Sequence, residues 1–328
     1  MKNKYENAKI ALVGSGLIGC GWAIHLLNHG IRSITLYDPS EAALNRAKEL
    51  VEDGLTFLTE NGIITAEEHE ALAACPRYTT DMAEAVSTAD FILENGPEKL
   101  DIKRSILAQI ESFCRPDAVI TSSTSGIMVS EIARDAVHPE RVIGAHPYHP
   151  VYLLPLVEIV ISEKVGQDYL DQVMDFLRTI NKKPVILRKN STAYIGSRLM
   201  AALFRESVSM VMNGVCSIED LDTAFTFGPG LRYALMGPYL VYQLTGGDNG
   251  INGFLNGPIG KTVENAIGDL CTWDHWPEEA REFFDAQCIS EVKRIMSERK
   301  PGCGRDNQEL CQFRDRGLLE ILKFHELI

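Results

Sequence analysis

The sequence predicts an α/β domain with a mostly parallel sheet, followed by an all-α domain. In the first part of the chain, short apolar runs typical of strands alternate with amphipathic helical patterns. This alternation indicates a parallel sheet. After about residue 190 the remaining pattern is helical, with no convincing strand. We therefore predict a boundary within residues 188–192, which gives domains at 1–190 and 191–328.

The first predicted strand, Lys9–Val13, runs into a G-x-G-x-x-G motif and then into a helix. Gly14 permits the turn, Gly16 lets a pyrophosphate approach the backbone, and Gly19 lets helix and strand pack closely. The N-terminus of the helix adds partial positive charge. The predicted cofactor-binding residues of this motif are Gly14, Gly16, Leu17, Ile18 and Gly19. The motif predicts a Rossmann-like dinucleotide site.

A second strand, Ser33–Tyr37, ends at Asp38. This acid lies roughly 20 residues past the last glycine of the motif, where an acid accepts hydrogen bonds from the adenosine ribose. It would repel a 2′-phosphate, and no arginine follows it directly. We therefore infer that the cofactor is NAD and not NADP.

The next stretch is amphipathic and strongly acidic. It predicts a helix from Glu41 to Asn61, closed by Gly62, and a second helix over Ala66–Ala74, capped by Thr65. Residues 41–70 carry eight acids and only two bases. The acids are Glu41, Glu49, Glu52, Asp53, Glu60, Glu67, Glu68 and Glu70, and the bases are Arg46 and Lys48.

Further strand-like runs follow, with helical patterns such as Ile102–Phe113 and Tyr169–Ile180 between several of them. The runs are Tyr78–Thr80, Asp90–Leu93, Ala118–Thr121, Arg141–His146, Leu156–Ile161 and Pro184–Leu187. In parallel sheets, ligands bind beyond the carboxyl ends of the strands. Glu98, Ser125 and His146 each follow or end such a run, so we expect them to converge on one crevice.

Residues 144–158 form the predicted catalytic segment. His146 ends one strand-like run and Glu158 lies inside the next, with a proline-rich connection between them. Two adjacent strands can place the imidazole beside the carboxylate, which fixes the tautomer and stabilises the charged form that a general acid/base needs. The alternative is a core histidine that is merely paired with a glutamate.

The second domain carries one segment that stands out. A long helix is predicted over Thr192–Val215, and another begins at Ser217. Within 228–238, glycines and prolines bracket Arg232 and Tyr233. A fixed guanidinium can bind a small carboxylate bidentately, so Arg232 is a candidate substrate ligand. A structural salt bridge or a dimer contact is the alternative for this arginine.

Composition excludes several classes of function. The formal net charge of the 328 residues is −13, which argues against a nucleic-acid or anionic-membrane partner. No apolar run approaches a membrane span, and the polar N-terminus lacks a signal-peptide core. The closest pair of the eight cysteines, Cys303 and Cys311, has seven residues between them. We therefore expect no metal site and a reducing, cytoplasmic setting.

Over nearly its whole length the sequence resembles the 3-hydroxyacyl-CoA dehydrogenase superfamily. The resemblance rests on the glycine motif, the Glu98–Lys103 pair, Ser122–Gly126, the spacing of His146 and Glu158, and the helical C-terminal domain. It implies an NAD-dependent dehydrogenase and a homodimer joined through the helical domain.

The resemblance also assigns roles to individual residues. His146 would take the hydroxyl proton during oxidation and Glu158 would orient it. Ser125 would hydrogen-bond the substrate oxygen. Glu98 and Lys103 would help to hold the nicotinamide half of the cofactor.

Two positions depart from the usual pattern of the acyl-CoA enzymes, which have asparagines where this chain has His149 and Ser197. We expect both to contact substrate, and the alternatives for His149 are a contact to the nicotinamide or a plain loop residue. Residues 146–158, 198–206 and 230–237 resemble a branch that acts on free hydroxy acids and includes L-carnitine 3-dehydrogenase, L-gulonate 3-dehydrogenase and lambda-crystallin. The acidic helix pair is a poor surface for the polyphosphate of CoA.

These observations predict an enzyme that oxidises the 3-hydroxyl of a small free acid, with L-carnitine as the first candidate. A trimethylammonium group would need aromatic faces. The tyrosines available are Tyr148, Tyr152, Tyr233 and Tyr239. The alternatives are L-gulonate 3-dehydrogenase, a 3-hydroxyacyl-CoA dehydrogenase, and a non-catalytic NAD-binding structural protein.

Overall fold

The structure is a computed structural model and describes residues 3–189, 191 and 193–328. It divides into two compact units. The first runs to Ile195 and takes in Leu318–Ile328, and the second is Gly196–Gly317. Asn190 and Thr192, on either side of the predicted boundary, lie outside the described residues, so the division at 190/191 stays a prediction. Across the described ranges, no helix combines the length and apolar character that crossing a membrane requires.

The first unit is built on an eight-stranded sheet with the order β3-β2-β1-β4-β5-β6-β7-β8. All neighbouring strands are parallel except β6 and β7, so the predicted mostly parallel sheet is confirmed. The strands are β1 (Lys9–Val13), β2 (Ser33–Tyr37), β3 (Arg77–Thr79), β4 (Phe91–Glu94), β5 (Val119–Ser122), β6 (Val142–Pro147), β7 (Leu156–Val160) and β8 (Lys183–Leu187).

Helices cover both faces of this sheet, and each face has its own apolar core. Because side chains of a strand alternate between the two faces, Ile10 and Leu12 of β1 join one buried cluster and Ala11 and Val13 join the other. The helices are α1 (Leu17–Asn28), α2 (Glu41–Glu60), α3 (Ala66–Ala73), α4 (Met82–Val86), α5 (Leu100–Phe113), α6 (Val129–Ile132) and α7 (Gln167–Thr179).

Helices are the only regular elements in the described residues of the second unit. Ser217 caps α9 by accepting a hydrogen bond from the backbone N–H of Asp220, as predicted. The helices are α8 (Ile195–Met212), α9 (Ile218–Phe227), α10 (Pro229–Leu235), α11 (Pro238–Thr245), α12 (Gly250–Asn256), α13 (Pro258–Asp269), α14 (Glu278–Phe283), α15 (Ile289–Glu298) and α16 (Asn307–Phe324), of which α8 begins and α16 ends in the first unit.

Several predicted bounds need correction. Arg141 does not open β6, because it closes a 3-10 turn (Pro139–Arg141) and its buried guanidinium donates to the carbonyl of Ala118 over 3.2 Å. The helix predicted over Thr192–Val215 is described from Ile195 to Met212, and Thr192 lies outside the described residues. Where other bounds differ, they are displaced by one or two residues, and the short helices α4 and α6 were not predicted.

Candidate active site

The antiparallel pairing of β6 and β7 brings together the two groups at the centre of the site. In the register of this pair, His146 lies directly opposite Glu158. Nδ1 of His146 is 3.0 Å from Oε2 of Glu158. Glu158 is fully buried, whereas His146 keeps a small exposed fraction. The carboxylate is therefore enclosed by the protein, whereas the imidazole remains partly accessible from the surface.

This geometry fixes the protonation pattern of the imidazole. An ionised carboxylate can only accept hydrogen bonds, so Nδ1 of His146 carries a proton and donates a hydrogen bond to Glu158. Nε2 is left as the basic nitrogen. A histidine oriented in this way can accept a proton from a hydroxyl group and stabilise the resulting positive charge.

Two tyrosine rings flank the imidazole edge-on. The ring centroid of Tyr148 is 5.1 Å from that of His146, and the centroid of Tyr194 is 5.4 Å away. Burial raises the pKa of Tyr194 to about 12, so it remains a neutral phenol at physiological pH. Sequence reasoning did not single out Tyr194, because a lone tyrosine at a helix start gives no signal of its own.

Glu98 gathers the loop that follows β5. Its Oε1 accepts hydrogen bonds from the Thr124 hydroxyl (2.7 Å) and from the backbone N–H groups of Ser125 (2.9 Å) and Gly126 (3.0 Å). Burial acts to raise the pKa of Glu98, but the Thr124 hydrogen bond, the charge of Lys103 and these N–H groups outweigh it. The pKa therefore lies below its usual value. Glu98 is thus ionised, and it fixes the position of Ser125 by accepting the hydrogen bond from its backbone N–H.

Lys103 lies deeper than the sequence suggested. Its amino group is almost fully buried and is 3.0 Å from Glu94 Oε2 and 3.6 Å from Glu98 Oε2. It also donates to the carbonyl of Gly96. Glu94, which sequence reasoning missed, accepts a further hydrogen bond from the Ser122 hydroxyl. The donors of Lys103 are therefore committed to this buried network, and its part in holding the nicotinamide half of the cofactor stays a prediction.

The glycine motif has the shape that a dinucleotide requires. Gly14 has φ +103°, and a Cβ there would come within 2.7 Å of the carbonyl oxygen of Asn95. A Cβ on Gly19 would lie 2.0 Å from the carbonyl oxygen of Gly14. Gly16 instead faces open space and caps the start of α1, where Leu17 and Ile18 follow. The turn therefore leaves no room for a side chain at Gly14 or Gly19, whereas the space at Gly16 is open.

Asp38 is positioned by this loop. Its Oδ2 accepts hydrogen bonds from the backbone N–H (3.2 Å) and hydroxyl (3.0 Å) of Ser15, and its Oδ1 accepts one from the N–H of Ser40. The carboxylate thus stands at the end of β2 beside the glycine turn. The residues present fit the adenosine half of a dinucleotide.

We expect Asp38→Asn to weaken NAD binding and to relax discrimination against NADP. Asparagine retains an acceptor for Ser15, so the loop should keep its shape. A hydrogen bond to a charged group contributes about 1.5–3 kcal/mol, which corresponds to roughly 10- to 150-fold in affinity. Titration of both cofactors by fluorescence measures the ratio, with Asp53→Asn on the exposed side of α2 as control. An unchanged NAD/NADP ratio would contradict the role of Asp38.

The remaining predicted ligands are placed as follows. His149 is exposed and joined to Pro150 by a cis peptide bond. In the second unit, Ser197 lies in α8, and Arg232 and Tyr233 lie exposed on α10. The ring of Tyr152 meets that of Phe57 edge-on at 6.1 Å, so Tyr152 takes part in apolar packing.

A metal centre is not visible in the described part of the chain. No group of three or more His, Cys, Asp or Glu side chains is arranged there to hold an ion.

Two segments of the chain match the two domains of one protein family. Residues 9–191 match the NAD binding domain of 3-hydroxyacyl-CoA dehydrogenase. Residues 194–276 match the C-terminal domain of the same family. The two matches together extend over most of the chain.

L-carnitine dehydrogenases of several bacteria are similar to this chain. The Streptomyces coelicolor enzyme is 34% identical over 324 residues, 97% of this chain and 95% of that protein. The Pseudomonas putida enzyme is 35% identical over 320 residues, 97% of this chain and 94% of that protein.

Two solved structures extend the comparison. That of 5-formyl-3-hydroxy-2-methylpyridine 4-carboxylic acid 5-dehydrogenase, an NAD+-dependent dismutase, has a TM-score of 0.77 at 28% identity and covers 97% of this chain and 98% of that one. Escherichia coli 3-hydroxybutyryl-CoA dehydrogenase has a TM-score of 0.63 at 29% identity and covers 73% of this chain and 49% of that one.

Proposed function

The chain belongs to the 3-hydroxyacyl-CoA dehydrogenase family and is an NAD-dependent oxidoreductase, and on this premise we propose that it oxidises the 3-hydroxyl of a small free hydroxy acid. L-carnitine is the first candidate substrate. The observation that carries the choice is the similarity to L-carnitine dehydrogenases over almost the full length of both chains. The hydrogen-bonded pair of His146 and Glu158 supports the chemistry.

In the proposed reaction, Nε2 of His146 takes the proton of the substrate hydroxyl. Glu158 holds Nδ1–H and stabilises the imidazolium that forms. Ser125 is fixed by Glu98, and its hydroxyl donates a hydrogen bond to the substrate oxygen. Bound NAD supplies the hydride acceptor. Gly14, Gly16, Leu17, Ile18, Gly19 and Asp38 would hold it, with Glu98 and Lys103 supporting the nicotinamide side through the loop after β5.

The surface of α2 and α3 favours a free acid over a CoA ester. All eight acids of residues 41–70 are exposed. Glu52 lies 2.9 Å from His69, and Glu68 accepts a hydrogen bond from the backbone N–H of Thr65 over 2.8 Å. Arg46 and Lys48 are the Arg and Lys residues of this stretch, so the surface carries little positive charge. A polyphosphate would be repelled by such a field. The compound after which the structural relative with TM-score 0.77 is named is likewise a free carboxylic acid.

A small carboxylate substrate needs a cationic partner, and we assign this role to Arg232. It is exposed in the last turn of α10, beside Tyr233. His149 and Ser197 are the proposed further polar contacts to substrate. Tyr148, beside His146, is the tyrosine of the first unit best placed to meet a trimethylammonium group.

We also propose a homodimer in a reducing, cytoplasmic setting. The second unit has large apolar side chains that are strongly exposed in the single chain, among them Phe227, Tyr239 and Leu244. Such surface is typical of an interface between subunits. All eight cysteines are free thiols, and free thiols are typical of reducing compartments.

The decisive experiment follows NADH absorbance with NAD and a substrate panel at alkaline pH. The panel is L-carnitine, L-gulonate, 3-hydroxybutyrate and 3-hydroxybutyryl-CoA. We expect turnover on L-carnitine and little on the CoA ester. Turnover on the CoA ester alone would overturn the free-acid proposal. Tight NAD binding without turnover on any member would favour a non-catalytic structural protein.

Arg232→Met sharpens this test. Loss of a bidentate, charge-assisted contact is expected to raise KM for the hydroxy acid about tenfold or more, with kcat little changed. Arg281→Met, at an exposed position on α14, is the matched control. If KM stays the same in Arg232→Met, this arginine does not bind the substrate carboxylate.

A further inference from the structure

Lys182 is a buried lysine that the proposed reaction does not use. It lies in the turn between α7 and β8, directly after Asn181, which has φ +59°. Only 2% of Lys182 is exposed, whereas its neighbour Lys183 is exposed. Among the described residues no carboxylate forms an ion pair with Lys182. A charged side chain in this position is costly to bury and calls for a functional account.

The amino group is used instead to hold the β6–β7 connection, residues 148–155. Nζ of Lys182 donates to the carbonyl of Val151 and, over 3.0 Å, to the carbonyl of Leu154. The next residue, Lys183, donates its backbone N–H to the carbonyl of Pro155 over 2.7 Å. The turn at 182–183 therefore donates to three carbonyls of the connection, two of them through the amino group of Lys182.

The same turn is fastened to α1, the helix that begins at the glycine motif. Nζ of Lys182 lies 5.1 Å from the ring centroid of Trp22, within the range of a cation–π contact. Nε2 of the buried His25 is 2.7 Å from the carbonyl oxygen of Ile180. Lys182 thus stands between α1 and the connection and contacts both.

Apolar contacts hold the other side of the connection. Val151 is fully buried against Gly21 of α1, where an added Cβ would lie 2.9 Å from the Cβ of Val151. Leu153 packs with Leu319 and Leu322 of the returning C-terminus. Apolar packing therefore fixes side chains of the connection, and hydrogen bonds from Lys182 fix part of its backbone.

We propose that Lys182 is a positioning residue for the substrate side of the active site. By holding the carbonyls of Val151 and Leu154, it fixes the connection on α1 and so sets the position of Tyr148 beside His146. The catalytic dyad, His146 and Glu158, is held by the pairing of β6 with β7 and does not depend on Lys182. This inference rests on the proposed function, because it assigns the connection to substrate recognition.

An apolar side chain of similar size cannot replace the amine in this role. Methionine would fill the space, but it has no donor, so the carbonyls of Val151 and Leu154 would lose the hydrogen bonds from Lys182. Burial lowers the pKa of Lys182 to about 7. Unfolding returns the amine to its ordinary pKa of 10.5, so its burial destabilises the fold below pH 10.5, most strongly at pH 7 and below. Methionine relieves that penalty while it removes the hydrogen bonds.

The test is Lys182→Met, assayed with whichever panel members the wild type oxidises. We expect kcat/KM for the hydroxy acid to fall about 10- to 100-fold, as a small misplacement of substrate-positioning groups can produce. The ratio between two substrates should change, and KM for NAD should stay within about twofold. General structural damage would lower all substrates alike and weaken NAD as well. Lys183→Met, the exposed neighbour, is the matched control.

Lys182→Gln provides a second variant that keeps a donor. It should recover part of the lost kcat/KM, and it decides the matter if the methionine variant fails to fold. A wild-type profile in both variants would overturn the role of Lys182 and leave the proposed function intact. Equal loss towards every substrate together with NAD would also overturn it. A wild-type chain that oxidises no panel member would overturn both proposals.

Discussion

His146→Gln is expected to lower kcat by about 10²–10⁴-fold, the range typical for loss of a positioned acid/base. Glutamine can still donate a hydrogen bond to Glu158, so the buried carboxylate keeps a partner and the hairpin should remain folded. The amide cannot accept the substrate proton at neutral pH. The glycine loop and Asp38 are untouched, so the affinity for NAD should change little.

Steady-state kinetics and a cofactor titration measure these two effects separately. His69→Gln on α3, where the histidine meets Glu52 and Thr59 away from the dyad, makes the same chemical change as a control. Near-normal turnover in His146→Gln would refute the assignment of His146 as the base. Equal losses in kcat and NAD affinity would point to a collapsed site instead of a missing base.

Lys103→Met is expected to lower the free energy of unfolding by about 3–5 kcal/mol, the usual effect of breaking a buried ion pair from one side. Glu94 is only 2% exposed and would be left with a buried, uncompensated charge. The carbonyl of Gly96 would lose a donor at the same time. Urea unfolding followed by circular dichroism measures the change.

The double variant Glu94→Gln/Lys103→Met supplies the counter-test. Removing both charges should restore a large part of the lost stability, because the uncompensated carboxylate disappears. Lys261→Met breaks an exposed pair with Glu264 and should cost about 1 kcal/mol or less. If Lys103→Met lowered the free energy of unfolding as little as Lys261→Met does, the network around Glu94 would be solvated and not buried.

The sheet and the dyad were within reach of sequence reasoning. Apolar runs bounded by turn residues located β1 and β2 to the residue. The pairing of His146 with Glu158 followed from two consecutive strands that could lie side by side, and the antiparallel register places them opposite each other. Both inferences depend on local patterns, which a single sequence records well.

The depth of a charged side chain was not within reach. The family resemblance pairs Glu98 with Lys103, but the second partner of Lys103 is Glu94, which ends the apolar run of β4. Glu94 lies opposite Ser122 in the register with β5, and only the assembled sheet shows that contact. Charge and spacing alone do not say which carboxylate is buried.

The adjacent residues Lys182 and Lys183 make the same point. They are chemically identical, yet one is buried beneath the β6–β7 connection and the other is exposed. Asn181 has a positive φ, and the buried Lys182 follows it directly. Which of the two lysines is buried depends on the tertiary contacts of the turn, and the hydrophobic pattern of the sequence does not show it.

The reversed direction of β7 also bears on folding. The connection between β6 and β7 is short, residues 148–155 only, whereas a parallel pair would need a crossover connection of roughly a dozen residues or more between its strands. Closing a short loop costs less chain entropy, and contacts of low sequence separation form early. We therefore expect the amides of this hairpin to resist hydrogen exchange almost as long as the central strands. The proton-accepting pair should then be among the last features lost when the chain is partly unfolded.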